Sequence, residues 1–285
     1  MKNVIFDFDN TLFDTERLKD MLRQAAVDSG CTPEEARMVY ERSRSDEKGN
    51  ITISLDHFVA TLRAFLAQSG RSVSIETSAR LNAWFKEIGP SLVFEGVYEM
   101  LRECSKRYAC YLLSLGVPAW QREKISLAGI ELYFSPERIV FTDREGGKIA
   151  ALRELFGNQF DGQGTVLFND RPEESTELLK AFPQLRLFIR RDMRDKRYAD
   201  ENIWRNLCEQ FPGRVVIATE TAHLFHFFSQ SSQSIIPLPS FVFKDKPNIY
   251  FLLLDAYTRA DILKSNTNFD NKDFIKFLKA KGFIV

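Results

Sequence analysis

Hydrophobic and polar residues follow two different periods along this chain, and those periods predict an ordered series of strands and helices. Residues 3–8 are apolar except for Asn3 and Asp7, in a run too short for a helical repeat and typical of a buried strand. From about residue 15 to residue 89 the apolar positions recur at helical spacing. Beyond residue 90, short apolar runs alternate with amphipathic segments as far as residue 228. This alternation predicts βαβ units and an α/β fold with a doubly wound, Rossmann-like parallel sheet.

Changes in this pattern divide the chain into four parts. We assign residues 1–15 and 90–228 to the α/β core, and residues 16–89 to a helical cap inserted after the first strand. The polar residues that open the segment 229–245 are typical of a linker. Residues 246–285 then form a C-terminal extension that begins with a new apolar run.

Composition and charge exclude several classes of partner. The chain has 39 basic and 39 acidic residues, so no net field attracts nucleic acid or an anionic membrane surface. No stretch approaches the roughly 20 apolar residues that span a bilayer. The four cysteines are scattered without a CxxC pair, which favours reduced thiols in a cytoplasmic protein. We therefore expect a cytoplasmic protein that binds neither nucleic acid nor membrane.

Side chains suited to phosphoryl chemistry lie where predicted strands end or predicted helices begin. In doubly wound sheets, ligands bind beyond the carboxyl ends of the strands, so we expect these side chains to converge. Carboxylate oxygens suit Mg²⁺, while a hydroxyl and an ammonium group provide donors and positive charge for phosphoryl oxygens. The set therefore indicates phosphoryl transfer to a carboxylate. Its members are Asp7, Asp9, Thr11, Ser114, Lys148 and Asp170.

The segment "DFDNT" at residues 7–11, directly after an apolar strand, resembles the first motif, DxDxT, of the haloacid dehalogenase-like (HAD) hydrolase superfamily. The resemblance extends over roughly residues 1–228. The helical insertion resembles the C1 cap of the phosphoglycolate-phosphatase-like branch. The resemblance implies a HAD-type phosphoric monoester hydrolase that uses Mg²⁺ and acts on a small phosphorylated metabolite.

The resemblance also implies a role for each matched residue. Asp7 would be the nucleophile that forms an aspartyl phosphate. Asp9 would be a general acid toward the leaving group and then a base toward water. Thr11 would steady the loop beside the phosphate, while Ser114 and Lys148 would hold the phosphoryl oxygens.

The implied metal site contains one open position. The Asp7 carboxylate, the Asp9 backbone carbonyl and the Asp170 carboxylate would bind Mg²⁺. The fourth motif usually supplies a further acid four or five residues after its aspartate, and here that position is either Glu174 or Ser175. Glu174 would complete the site, whereas Ser175 would leave it with a lower affinity for the metal.

Two further departures from the family pattern keep a second function open. Leu115 follows Ser114 where the family usually has asparagine, and Asn169 precedes Asp170 where it usually has glycine. The alternative is a catalytically weakened HAD-like domain that binds a phosphorylated ligand or a partner protein. Phosphotransfer to a second hydroxyl, as in mutases, is a related possibility.

The C-terminal extension has a resemblance of its own. Residues 246–285 begin with an apolar run that ends in Asp255. This resembles the opening segment of sulfatase-like hydrolases in the alkaline phosphatase superfamily, in which the aspartate that ends the first strand binds metal. We expect this segment either to pack on the core or on a partner, or to be the truncated start of such a domain, and in each case to have no catalytic role in this chain.

Overall fold

The computed structural model describes residues 1–45, 54–71, 83–142 and 147–233, with side chains as far as residue 229. These residues belong to one compact unit, Met1–Leu238. A second unit, Pro239–Val285, lies outside the described residues, as does the predicted linker beyond residue 233.

The strands in the described part of the chain form one six-stranded sheet. Its spatial order is β3-β2-β1-β4-β5-β6, and every pairing is parallel. The predicted doubly wound, Rossmann-like parallel sheet is therefore confirmed. The strands are β1 (Asn3–Phe6), β2 (Ala109–Leu115), β3 (Ile139–Thr142), β4 (Thr165–Asn169), β5 (Arg186–Arg190) and β6 (Val215–Ala218).

Helices connect the strands and pack on both faces of the sheet. They are α1 (Thr15–Asp28), α2 (Pro33–Arg44), α3 (Leu55–Gln68), α4 (Val97–Ser105), α5 (Pro118–Ala128), α6 (Gly147–Phe156), α7 (Pro172–Ala181), α8 (Glu201–Gln210) and α9 (Thr221–Gln233). Residues 83–88 are also helical.

The segment between β1 and β2 is helical, as the spacing of its apolar residues predicts. Thr32 and Glu35 form a reciprocal capping box that starts α2, with the Thr32 amide donating to Glu35 at 2.8 Å. Arg71, shortly after the end of α3, donates from its guanidinium group to Glu35 Oε1 at 2.7 Å. Local capping therefore fixes where α2 begins. The function of these helices as a cap stays a prediction.

Alternation along the central strand gives the sheet two apolar faces. Val4 and Phe6 of β1 belong to one buried cluster and Ile5 to another. Successive residues of a strand point to opposite faces, so a strand that is apolar throughout must be covered on both. Phe6, Phe168 and Phe188 stack across β1, β4 and β5 with ring centroids 5.0 and 5.2 Å apart. This stack fixes the central strands whose ends carry the site.

Two elements differ from the sequence prediction. Helix α8 was not predicted, although Trp204 and Leu207 are buried at helical spacing and Asp200 caps its first turn. Helix α9 continues through residues 229–233, which the sequence assigns to the linker. Ser229 fits within the helix because its hydroxyl donates to the Phe225 carbonyl at 2.9 Å.

Over the ranges described above, no helix is both long and apolar enough to cross a membrane.

Candidate active site

A tight loop after β1 directs Asp7 and Asp9 into different surroundings. The Asp7 amide donates to the Phe168 carbonyl at 2.9 Å, so Asp7 extends the pairing of β1 with β4. The Phe8 carbonyl then accepts the amides of residues 11, 12 and 13, which closes the turn. Asn10 has a φ of 57°, a left-handed conformation that asparagine tolerates better than most residues.

Asp7 lies almost completely buried at the carboxyl end of the central strand. Thr11 Oγ1 donates to its Oδ2 at 3.0 Å, and Lys148 Nζ donates to its Oδ1 at 2.8 Å. Each oxygen of the carboxylate therefore has one donor, which holds the group in a single orientation.

Lys148, in the first turn of α6, is buried among oxygen atoms. Its ammonium donates to Asp7, to Asn169 Oδ1 at 2.8 Å and to Glu174 Oε2 at 2.7 Å. These three bonds use the three protons of the ammonium group. Burial alone would lower the pKa of Lys148, but the charges of Asp7 and Glu174 outweigh burial and raise it.

Negative charge exceeds positive charge around this lysine. Burial raises the pKa of Asp7, and the charges of Glu174 and Asp9 add to the increase against the attraction of Lys148. Burial and the charge of Asp7 raise the pKa of Asp170 well above its usual range. For Glu174, the attraction and hydrogen bond of Lys148 outweigh burial and lower its pKa. Lys148 thus pairs with two of these three carboxylates, Asp7 and Glu174, and such a concentration of perturbed acids is typical of functional sites.

The start of α7 distinguishes between the two residues that the sequence left open. Ser175 is fully buried, and its hydroxyl accepts from Asn169 Nδ2 at 2.9 Å and donates to the Arg171 carbonyl at 2.6 Å. Glu174 reaches Lys148 and lines the same cavity as Asp7 and Asp170. Glu174 therefore faces the site, while Ser175 anchors Asn169.

Ser114, near the end of β2, lines this cavity beside Asp7 and Asp9. It is 1% exposed, and its Oγ has no hydrogen-bond partner within the described residues. A buried hydroxyl without a partner is costly in a folded protein, and such a group is often satisfied by a ligand or water. The exposed residue Arg171 also lines the cavity.

Asp9 lies among hydrogen-bond donors instead of carboxylates. Thr15 Oγ1 and Lys124 Nζ both donate to its Oδ1, and Gln121 Nε2 donates to its Oδ2 at 2.7 Å. Burial would raise the pKa of Asp9, but the charge of Lys124 and these hydrogen bonds outweigh it and lower the pKa. Lys124 and Gln121 are each 2% exposed, so both are committed to the protein interior.

Comparison with known proteins identifies the fold. No family model matches the sequence, and no curated protein matches it. A Burkholderia xenovorans protein assigned as a haloacid dehalogenase-like hydrolase matches with a TM-score of 0.51 and 17% identity, over 78% of this chain and 96% of that chain. This chain has the fold of the HAD-like hydrolases.

Other solved structures with the HAD-like fold match more distantly. L-2-haloacid dehalogenase of Xanthobacter autotrophicus has a TM-score of 0.46 and 14% identity, over 81% of this chain and 99% of that chain. A Bacillus subtilis protein assigned as a HAD hydrolase, and solved bound to magnesium, has a TM-score of 0.44 and 14% identity. That match covers 79% of this chain and 97% of that one.

The carboxylates at this edge of the HAD-like fold suit a hard cation. Within the described ranges, no three His, Cys, Asp or Glu side chains form a group that could hold a metal ion as they stand. Asp7 and Asp170 nevertheless line one cavity, and burial together with the charge of Asp7 raises the pKa of Asp170. A divalent cation bound between oxygen ligands would relieve the repulsion between the two charges. The donor set therefore fits Mg²⁺.

Gln121 and Lys124 are the residues of this HAD-like site that the sequence prediction missed. The sequence of α5 did carry a sign of their role, because polar residues occur where the helical period calls for apolar ones. They lie three residues apart on the face that also buries Trp120 and Ile125, so the helical period assigns two polar residues to an apolar face. A lysine at such a position requires a buried partner, and that partner is Asp9.

Proposed function

We propose that this chain is a Mg²⁺-dependent phosphatase of the HAD type, which hydrolyses a phosphate monoester of a small metabolite through an aspartyl phosphate on Asp7. The observation that carries the proposal is the convergence of Asp7, Ser114, Lys148 and Asp170 on one cavity at the carboxyl edge of the sheet. The fold alone does not separate phosphatases from dehalogenases, so the argument rests on these side chains.

In the first step, an oxygen of the Asp7 carboxylate attacks phosphorus, and the bond from phosphorus to the ester oxygen breaks. Asp9, two residues further along the loop, acts as the general acid and gives to the departing oxygen a proton that it has taken up from water. Lys148 and the Ser114 hydroxyl donate to the phosphoryl oxygens as negative charge develops there. Lys148 must exchange at least one of its three present acceptors for a phosphoryl oxygen to do so.

In the second step, water attacks the aspartyl phosphate and Asp9 takes its proton. The bond between phosphorus and Asp7 then breaks, which restores the carboxylate and releases inorganic phosphate. The lowered pKa of Asp9 favours its ionised form and therefore its role as a base.

The carboxylates of Asp7 and Asp170, with the backbone carbonyl of Asp9, would hold Mg²⁺. When bound, the cation neutralises charge on the phosphoryl oxygens and so lets a carboxylate approach phosphorus.

The test is phosphate release from p-nitrophenyl phosphate and from a panel of sugar, nucleotide and carboxylic-acid phosphates, with and without Mg²⁺. We expect release that requires Mg²⁺ and is abolished in Asp7→Asn. Asp20→Asn is the matched control, because Asp20 is an exposed aspartate paired with Arg23 on α1. Turnover by Asp7→Asn equal to that of the wild type would contradict the proposal.

One observation favours the alternative of a catalytically weakened domain. Lys148 is saturated by three protein acceptors, so an incoming phosphoryl group must compete for it. Calorimetric titration with inorganic phosphate and Mg²⁺ separates the two functions. Binding by folded protein that hydrolyses no member of the panel would establish the alternative.

A further inference from the structure

Two buried polar residues of α5 converge on one carboxylate of the active-site loop. Gln121 Nε2 lies 2.7 Å from Asp9 Oδ2, and Lys124 Nζ donates to Asp9 Oδ1. The residues are more than a hundred positions apart in sequence. The contact therefore depends on the tertiary fold and does not arise from a local turn.

Burial of this lysine and glutamine opposes folding unless their polar atoms are bonded. The Lys124 ammonium lies 5.4 Å from the ring centroid of Phe8 and 5.7 Å from that of Trp120, so aromatic rings adjoin the ammonium group. Asp9 supplies the negative charge that it faces. General core packing would favour an apolar residue here, so the pair calls for a more specific explanation.

The turn after β2 leaves the space that Gln121 needs. Gly116 has a φ of 145°, and a Cβ atom built there would lie 2.5 Å from Gln121 Nε2. The same amide nitrogen donates to the Leu115 carbonyl at 2.8 Å. Gln121 therefore links Asp9 to the end of β2, the strand that also carries Ser114.

We propose that Gln121 and Lys124 are positioning residues, which fix the Asp9 carboxylate at the cavity so that it meets the ester oxygen of the substrate. This inference rests on the proposed phosphatase function. Two donors from α5 and one from Thr15, the first residue of α1, hold both oxygens of Asp9, and a fixed orientation is what proton transfer over a short, directed path requires.

The competing explanation is a purely structural ion pair that joins α5 to the loop. The two explanations differ in how the effect of a substitution depends on the leaving group. Removal of a group that positions the proton donor slows departure of the leaving group most when the leaving oxygen is strongly basic, and slows it little when that oxygen is weakly basic. A structural pair affects every substrate alike.

The experiment compares p-nitrophenyl phosphate with phenyl phosphate in Lys124→Met, which removes the ammonium group with little change in shape. We expect the first-turnover release of phenol from phenyl phosphate to slow about tenfold to a hundredfold, with a much smaller loss for release of p-nitrophenol and little change in KM. Lys124→Arg should recover part of the loss. Arg122→Met is the control, since it removes an exposed cation from the same helix.

Melting temperatures measured on the same samples show which variants are folded. If Lys124→Met does not fold, Gln121→Met makes the same test without removing a charge. Equal losses for both substrates in this first-turnover release would overturn the positioning role while leaving the phosphatase in place. Absence of phosphate release from the wild type would overturn the proposed function and this inference with it.

Discussion

Asp7 and Asp9 lie two residues apart in one loop, yet the two sides of the site that surround them differ in charge, since one has an excess of negative charge and the other is neutralised. We call Asp7, Asp170 and Glu174, with the cations Lys148 and Arg171, the carboxylate side. On this side three acids face two cations, Lys148 pairs with Asp7 and Glu174, and the pKa values of Asp7 and Asp170 are raised.

The donor side consists of Asp9 with Thr15, Gln121 and Lys124. Here one acid has three donors, and its pKa is lowered. The difference teaches that the neighbours of an aspartate decide its chemistry more than its place in a motif does. The carboxylate side has an excess of negative charge that a cation can neutralise, whereas the donor side is already neutralised.

The largest effect should follow from removal of the ammonium group on the carboxylate side. Lys148→Met leaves Asp7 and Glu174 without the ammonium group that pairs with both, so we expect stability without metal to fall by about 3 kcal/mol. Phosphate release with Mg²⁺ should fall at least about a hundredfold. Thermal melts with and without Mg²⁺, beside the exposed control Lys180→Met, make the measurement. Mg²⁺ should raise the melting temperature of Lys148→Met more than that of the wild type. An equal rise would contradict the excess of negative charge on the carboxylate side.

The next effect separates stability from metal binding. Asp170→Asn removes one repelling charge, so the metal-free protein should melt at a higher temperature at neutral pH. Affinity for Mg²⁺ should fall at least about tenfold. Removing a group that only orients a metal ligand already costs about that much, and Asp170 is proposed to bind the metal directly. Calorimetric titration with Mg²⁺ and melts in a chelator measure the two changes. A lower melting temperature without metal would show that Asp170 stabilises the fold.

The pH dependence of the same variant has a defined sign. The folded-state pKa of Asp170 is raised above the ordinary value of 3.8, so its contribution to stability is fully present below pH 3.8 and is lost as pH rises through the folded value. Metal-free wild type should therefore lose more stability than Asp170→Asn as the pH rises from 3.8.

A smaller effect is expected at Asp192. Like Asp9, it accepts a hydrogen bond from a cationic side chain and has a lowered pKa, but it does not line the cavity. It accepts from Arg190 at 3.4 Å and from Arg194 at 2.6 Å. Burial would raise its pKa, but these arginines and the Arg194 amide lower it to about 2. Asp192→Asn should cost about 1 kcal/mol at pH 7. The depressed pKa means that this stability is present above pH 3.8 and is lost as pH falls toward 2, so the melting curves of wild type and variant should converge over that window.

The smallest effect concerns the anchor beneath Lys148. Ser175→Ala removes the hydroxyl that accepts from Asn169, so we expect a loss of about 0.5–1 kcal/mol in stability. Phosphate release should fall by less than about fivefold, because Asp7 and Glu174 still hold Lys148. Steady-state kinetics and denaturant melts beside Ser105→Ala, an exposed control, measure both. A loss of activity as large as that of Lys148→Met would mean that the hydrogen bond from Asn169 to Ser175 is required to hold Lys148 in place.

The fold was largely predictable because short apolar runs and helical segments alternate with little ambiguity. The strand ends were also predictable, since the ends of parallel strands meet at one edge, and Asp7, Ser114 and Asp170 do meet there. The exception was α8, whose polar surface obscured the spacing of Trp204 and Leu207.

The charges on each side of the site were not predictable from spacing. Sequence analysis treated Lys148 as a group that meets phosphate, but three protein oxygens already surround it. It also passed over Lys124, because the position of a buried lysine beside Asp9 depends on how α5 packs against the loop. Such contacts are fixed by tertiary geometry, which a helical period does not encode.

The central position of β1 has a consequence for the order of folding. Asn3 pairs with Ala109 on one side and with Thr165 on the other, so both edges of this strand depend on partners more than a hundred residues away. Closing such long loops slows folding relative to proteins built from local contacts. The apolar strand that ends in Asp7 remains an open edge, able to pair with another chain, until β4 arrives. We therefore expect the same strand order that creates the site to cause slow refolding and, at high protein concentration, aggregation.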